Sequence, residues 1–288
     1  MSIASEIVGR IETIGTVPTS VAQVFGLVND PKATGVDFER VVRPDVGLTA
    51  NLLRCANSSY YRGSREITSV REAITRMGMR RVFEVAATAS FAKAVPEVLK
   101  GYDAPAASYW DHSVAVAVLA DRVGREVGFT YPDLAFTAGL LHDLGKIVVA
   151  NWLDANPAII VKPGSLLDLE LEQELFGATH AEFGEALCQK WNLPKDIGGA
   201  ARWHHAPADA PTATLRYLST VVQVADEAAH QAGFGEATGS AGIEPEAFER
   251  LNLTEERLRV IVETSKPEIA RTQELLAQVS GGRPARAA

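Results

Sequence analysis

Two doublets hold the densest potential for chemistry in this chain. His142 and Asp143 stand together in AGLLHDLGK, where an apolar helix end meets a polar pair. His204 and His205 stand together in ARWHHAP, after a helix that begins near Pro194. Neighbouring residues on a helix point roughly 100° apart, so both members of a doublet can serve one site only near an irregular helix end. Three more polar residues fall on apolar helix faces: His112 with Val116, Leu119 and Val123, His180 with Phe183, Leu187 and Trp191, and Asp226 with Leu218, Val222 and Ala229. Burying such groups costs on the order of several kcal/mol unless they are paired or bound to a metal. Five imidazoles (His112, His142, His180, His204, His205) and two carboxylates (Asp143, Asp226) make a mixed nitrogen and oxygen donor set. Such a set suits iron, manganese, zinc or nickel better than magnesium or calcium. The alternative reading keeps these residues as unrelated core and surface polar groups, since a lone histidine on an apolar stripe is more often a satisfied core residue.

The elements that must position these groups read as helices nearly throughout. Ile7, Ile11 and Ile14 recur at helical spacing, and Val21, Val24, Phe25 and Val28 form a second stripe that ends at Asn29-Asp30-Pro31. Ser69 with Glu72, and Thr179 with Glu182, read as capping boxes; the first opens a helix through Met77 that stops at Gly78, and the second opens one ending near Trp191 and Pro194. Longer periodic segments cover about Tyr109–Val127, Ala213–Ala232 and Thr254–Val279, and no alternating strand set is visible. The fold class expected is all-α, multi-helical. Gly145 reads as a helix stop, Phe234 to Glu244 as a loop, and the small, polar tail from Gly281 as frayed. Asn57 is expected to pin a turn, Cys55 and Cys188 to act as buried hydrophobes, and Arg76, Arg80, Arg81 and Lys93 to form a solvated basic face.

Composition agrees with an ordinary globular chain. The 288 residues are 47% hydrophobic and 22% charged, enough for a substantial core. Two distant cysteines cannot build a disulfide framework and suit a reducing compartment, and the start lacks the basic and apolar regions of a signal peptide. A cytoplasmic protein with no membrane partner is expected. The net charge of −8 offers no electrostatic footprint for nucleic acid, which is therefore not an expected partner. All six histidines lie after residue 110.

The order His112, His142-Asp143, His180, His204-His205, Asp226 resembles that of the HD superfamily of metal-dependent phosphohydrolases. A closer likeness is to the HDOD domain, an HD-related output domain of bacterial signalling proteins. VPTSVAQVFGLVNDP, RPDVGLTANLLRCANSSYY and ITSVREAITRMGMRRV carry it in the first half; AGLLHDLGK, FGATHAEFGEALCQKWNLP and WHH carry it in the second. The resemblance implies a multi-helical HD-related bundle over about residues 12–230, with an N-terminal helical lobe to about 100, an HD-like core from about 101, and an added helical segment over about 244–280. That last segment would cap the core or form a homodimer seam.

The resemblance also implies function. Many HDOD domains lack part of the metal set and are thought to act as signalling or scaffolding modules, whereas this chain keeps nearly all of it. The expected cofactor is a divalent transition metal, iron or manganese ahead of zinc or nickel, with up to two ions. Ser108 stands where some relatives have a glutamate ligand for a third. Asp143 would be shared between the two cations, whose chemistry lowers the pKa of a water toward neutrality. Lys146 resembles a lysine that approaches a substrate phosphate; its plainer reading is a solvated helix-end cation. After His205 the chain runs Ala-Pro-Ala-Asp-Ala-Pro and lacks the Gly-Tyr-Pro signature of the HD-GYP phosphodiesterases, which tells against cyclic di-GMP hydrolysis. The expected function is a regulatory HDOD module with a di-metal site, contacting signalling proteins or a small phosphate or nucleotide ligand. The alternative is a working metal-dependent phosphohydrolase in which Asp143 and Lys146 take part in catalysis.

Overall fold

The computed structural model describes residues 3–11, 19–28, 30, 32–58, 61, 65–91, 95–159, 166–235 and 242–279. Ile14, Asn29, Pro31, Lys93, most of the loop after Gly235 and the tail from Gly281 lie outside them. In chain order the helices are α1 (Ile3–Arg10), α2 (Thr19–Val28), α3 (Gly35–Val42), α4 (Val46–Ala56), α5 (Val70–Met77) and α6 (Met79–Phe91). A two-residue antiparallel ladder follows, β1 (Val98–Leu99) with β2 (Ala104–Pro105). Then come α7 (Ala106–Glu126), α8 (Pro132–Leu141), α9 (Leu144–Ala155), α10 (Leu169–Phe176), α11 (His180–Lys190), α12 (Lys195–Trp203), α13 (Ala213–Gln231), α14 (Pro245–Leu251) and α15 (Glu255–Val279). The all-α class is as expected, and among the described residues no helix is long and apolar enough to cross a membrane.

The chain divides into two compact units, Met1–Ile14 with Val95–Ala270, and Gly15–Ala94 with Arg271–Ala288. In the second of these, Ser69 caps α5 by accepting from the Glu72 amide, and Gly78 ends it at φ +81°. Only half of the expected capping box forms, because Glu72 turns to Arg65 and the Thr68 amide instead. Asn57 pins the turn after α4, donating to the Leu53 and Ile67 carbonyls and accepting from the Ile67 amide. Within the expected basic face Arg76 is exposed, whereas Arg80 and Arg81 depart from it. Arg80 and Arg81 both turn to Glu84, a wholly buried carboxylate that needs them as partners.

In the first unit α7 is a central helix. Its run from His112 to Asp121 is buried on every side, so the apolar stripe of the sequence is one face of a helix that has almost no solvent face. Phe136, Leu140 and Leu141 of α8 and Phe183 and Leu187 of α11 are also wholly or almost wholly buried. Each such side chain contributes roughly 1.5–3 kcal/mol over an exposed one. Close approach depends on glycine at two points. A Cβ on Gly139 would lie 2.9 Å from the Val116 carbonyl oxygen, and one on Gly145 would lie 1.7 Å from the His180 carbonyl oxygen. Gly145 is thus no helix stop. It stands in the first turn of α9, where only a hydrogen lets α9 meet α11.

Candidate metal centre

Four helix ends and two helix interiors converge in the first unit. His112 comes from α7 and Asp226 from α13. His142 and Asp143 occupy the break between α8 and α9, His180 opens α11, and His204 and His205 follow the last residue of α12. The doublets therefore lie at the irregular helix ends that their spacing demands. Local sequence explains the ends: Thr179 and Glu182 form a complete capping box that starts α11 at His180, and Pro194 leaves α12 only nine residues before the second doublet.

All seven expected residues meet in two groups. His112, His142 and Asp226 form one; Asp143, His180, His204 and His205 form the other, and within each group the donor atoms lie within 4.8 Å of one another. Asp143 faces both. Its Oδ1 is 3.4 Å from His180 Nε2 and 3.7 Å from His204 Nε2, while its Oδ2 is 3.4 Å from His142 Nε2 and 4.0 Å from His112 Nε2. Asp226 Oδ1 is 3.0 Å from His112 Nε2 and 3.7 Å from His142 Nε2. His180 Nε2 and His205 Nε2 approach to 3.0 Å.

The opposite ring nitrogens show how these imidazoles are held. The Nδ1 atoms of His112, His142 and His204 lie 3.0, 2.8 and 2.8 Å from the carbonyls of Phe234, Gly139 and Ala201. A carbonyl only accepts, so each Nδ1 carries a proton, and a ring held in this way presents its lone pair at Nε2 when neutral. His180 is held by a carboxylate instead. Glu172 accepts from its Nδ1 and its backbone amide, and from the Tyr102 hydroxyl. At the other end of these rings, Nε2 of His112, His142 and His204, with Asp143 Oδ1 and Asp226 Oδ1, are buried with no hydrogen-bond partner among the described residues. Each such orphan costs on the order of 1–3 kcal/mol. Five of them aimed at one place fit a cation, with second partners already fixing each ring.

Electrostatics keep both carboxylates charged and divide the imidazoles, the neighbouring carboxylates raising His142 and His180 against burial while burial lowers His204 and His205. Burial alone would raise Asp143 and Asp226, but His142, Lys146 and His180 around the one and His112 and His142 around the other hold both well below the usual carboxylate range. Burial alone would lower His180, yet Glu172 and Asp143 push it up to about 9. Burial, with His205 and His142 nearby, holds His204 well below its ordinary value, neutral as a ligand must be. The carboxylates thus stay charged and draw positive charge inward.

Lys146 is placed in the first turn of α9, with Nζ 2.6 Å from Asp143 Oδ2 and a side chain 23% exposed. This overturns its reading as a solvated cation at a helix C-terminus. His230, outside the expected donor order, is 11% exposed at the side chain, and its Nε2 is 3.4 Å from Asp226 Oδ1. Sequence reasoning also passed over Glu172, although its pairing with Phe176 four residues on puts it on a buried face of α10, the same signal that marked His112.

The HDOD domain family matches residues 14–207, about two thirds of the chain. A protein of Treponema pallidum (strain Nichols) is 26% identical over 233 residues, which are 76% of this chain and 43% of that protein. Ribonuclease Y of Thermus thermophilus is 35% identical over 101 residues, 35% of this chain and 13% of that enzyme. The chain therefore spans less than half the length of these curated relatives. Among solved structures, an HDOD domain protein of Geobacter sulfurreducens superposes with a TM-score of 0.71 at 23% identity, covering 96% of this chain and 97% of its own.

Proposed function

The chain belongs to the HDOD family, and from that premise we propose that it is a regulatory module of bacterial signalling that retains a two-cation centre. In this reading His112, His142 and Asp226 hold one divalent transition metal, His180, His204 and His205 hold the other, and Asp143 is shared. The supporting observation is the set of buried, unpartnered Nε2 and Oδ1 atoms whose rings are already fixed from behind. Iron or manganese is the proposed identity, ahead of zinc or nickel; imidazole and carboxylate donors without thiolate suit all four better than magnesium or calcium. The absence of a Gly-Tyr-Pro signature after His205 favours a regulatory role. The Lys146 ammonium pairs with Asp143, holding that carboxylate in place and adding positive charge. The proposed partners are signalling proteins or a small phosphate or nucleotide ligand.

The second reading is a phosphohydrolase, favoured by the completeness of the donor set and by the exposure of His205 at the mouth of one group. Bound cations would there supply the Lewis acidity that brings the pKa of a water toward neutrality. For their part, the residues of this chain orient the donors, with Glu172 keeping the His180 Nδ1 proton turned away from the centre.

Elemental analysis after anaerobic reconstitution should find up to two cations per chain, and the loaded protein should show no turnover of cyclic dinucleotides, nucleotides, a short RNA or a generic phosphodiester. Metal at background in every preparation would sink the cation reading. Turnover that Asp143→Ala abolishes would establish the hydrolase instead.

A further inference from the structure

Away from the donor centre, α15 carries charges in an order that suits another helix. Glu255, Arg259, Glu263 and Lys266 recur at spacings of four, four and three residues, so they share one helix face, and their signs alternate. All four are exposed; Lys266 and Glu263, at 46% and 67% of the side chain, approach to 2.6 Å. The same four residues line a groove of about 560 Å³ between α13, α14 and α15. Its apolar lining comes from Ala228 and Ala232 of α13, Phe248 of α14, and Leu258 and Val262 of α15. Apolar surface bordered by exposed charge is the anatomy of a protein interface.

Charge order selects the occupant. Two copies of one helix related by a two-fold axis run either parallel, each residue opposite its own copy, or antiparallel, early residues opposite late ones. In the parallel pair every one of these charges would meet its like, which is destabilising. In the antiparallel pair Glu255 meets the partner's Lys266, and Arg259 meets the partner's Glu263. The two registers differ by one residue, about 1.5 Å along the axis, which these long side chains absorb. The stripe begins acidic and ends basic, so its reverse is its own complement.

We propose that this face of α15 is a self-association surface, on which a second copy of this chain lays its own α15 antiparallel along the groove. The contact is isologous and closes at the dimer. Ala228, Gln231 and Ala232 line the groove, whereas Asp226, about 200° round α13 from Ala228, belongs to the donor centre. The second copy thus sits one helix away from that centre. The proposal does not depend on the two-cation reading.

The test is sedimentation of the full chain over a concentration series at low and high salt. Wild type should form a concentration-dependent dimer that salt weakens, because exposed charge pairs are screened. Arg259→Glu sets a carboxylate against the partner's Glu263 on both sides of the two-fold axis and should weaken the dimer by at least about ten-fold. Combining Arg259→Glu with Glu263→Arg reverses both members of the pair and should restore the dimer, which also shows that neither substitution prevents folding. A chain that stays monomeric at every concentration would overturn the proposal. So would a dimer indifferent to Arg259→Glu, which must use another face, or one that the double substitution leaves weakened, as a parallel pair would be.

Discussion

An imidazole can offer a cation only one lone pair, and which one is decided by what its other nitrogen touches. Here backbone carbonyls make that decision for His112, His142 and His204, and a mutation cannot remove them without moving the chain. His180 depends on a side chain, which makes it the place to test the principle. Glu172 accepts three donors, from the Tyr102 hydroxyl and from the amide and Nδ1 of His180. A glutamine there offers one accepting oxygen and an NH₂ that must face a donor. Glu172→Gln should therefore weaken cation binding by about 10–100-fold in a chelator competition. Tyr102→Phe, which removes one donor and leaves the imidazole held, should weaken it less. Unchanged affinity in Glu172→Gln would mean that the ring needs no such partner. The seven ligand candidates were legible at this scale because His112, His180 and Asp226 interrupt apolar faces and the other four stand in two polar doublets. Glu172 and His230 were not picked out, since their significance lies in partners distant in sequence or across a turn.

At the scale of elements, the centre exists because α8 and α9 break at His142-Asp143 and because α9 then passes close to α11. Gly145 sets that approach. A methyl group there would lie 1.7 Å from the carbonyl of His180 and 2.7 Å from the Gly184 amide nitrogen, both backbone atoms with nowhere to go. Gly145→Ala should cost more than about 4 kcal/mol, the range reserved for severe core disruption, and should lower the melting temperature by roughly 10 °C with loss of cation uptake. Gly128→Ala is the control, at φ +69° with open space around it, and should cost only about 1–2 kcal/mol of backbone strain. Similar melting temperatures for the two, followed by calorimetry, would show that α9 and α11 can separate at little cost. Helix starts were readable from Thr179 with Glu182 and from Ser69, because caps act within one turn. The role of Gly145 was not, since glycine ends helices and also admits close neighbours, and only the neighbour distinguishes the two.

For the molecule as a whole, the two units each carry one cysteine, Cys188 in the unit with the histidines and Cys55 in the other. Burial pushes both thiols up to about 12, so little thiolate is present at pH 8 and alkylation reports opening. A cation at one hundred times its dissociation constant adds about 2.7 kcal/mol to the unit that binds it. Chelation should therefore speed alkylation of Cys188 at pH 8, read by peptide mass, and leave Cys55 unchanged; equal acceleration of both would mean that the units open together. The sequence by itself determined the helical class, the helix starts, the turn at Asn57 and the seven candidate donors that the fold brings together, all legible from periodicity, polar doublets and bonds spanning a few residues. Only the tertiary structure decided that Asp143 faces both donor groups, that Lys146 pairs with Asp143, that Arg80 and Arg81 turn inward to Glu84, and that His230 pairs with Asp226. Those outcomes depend on which helices touch, and contact between distant helices is settled by packing and by charges that burial forces to find partners.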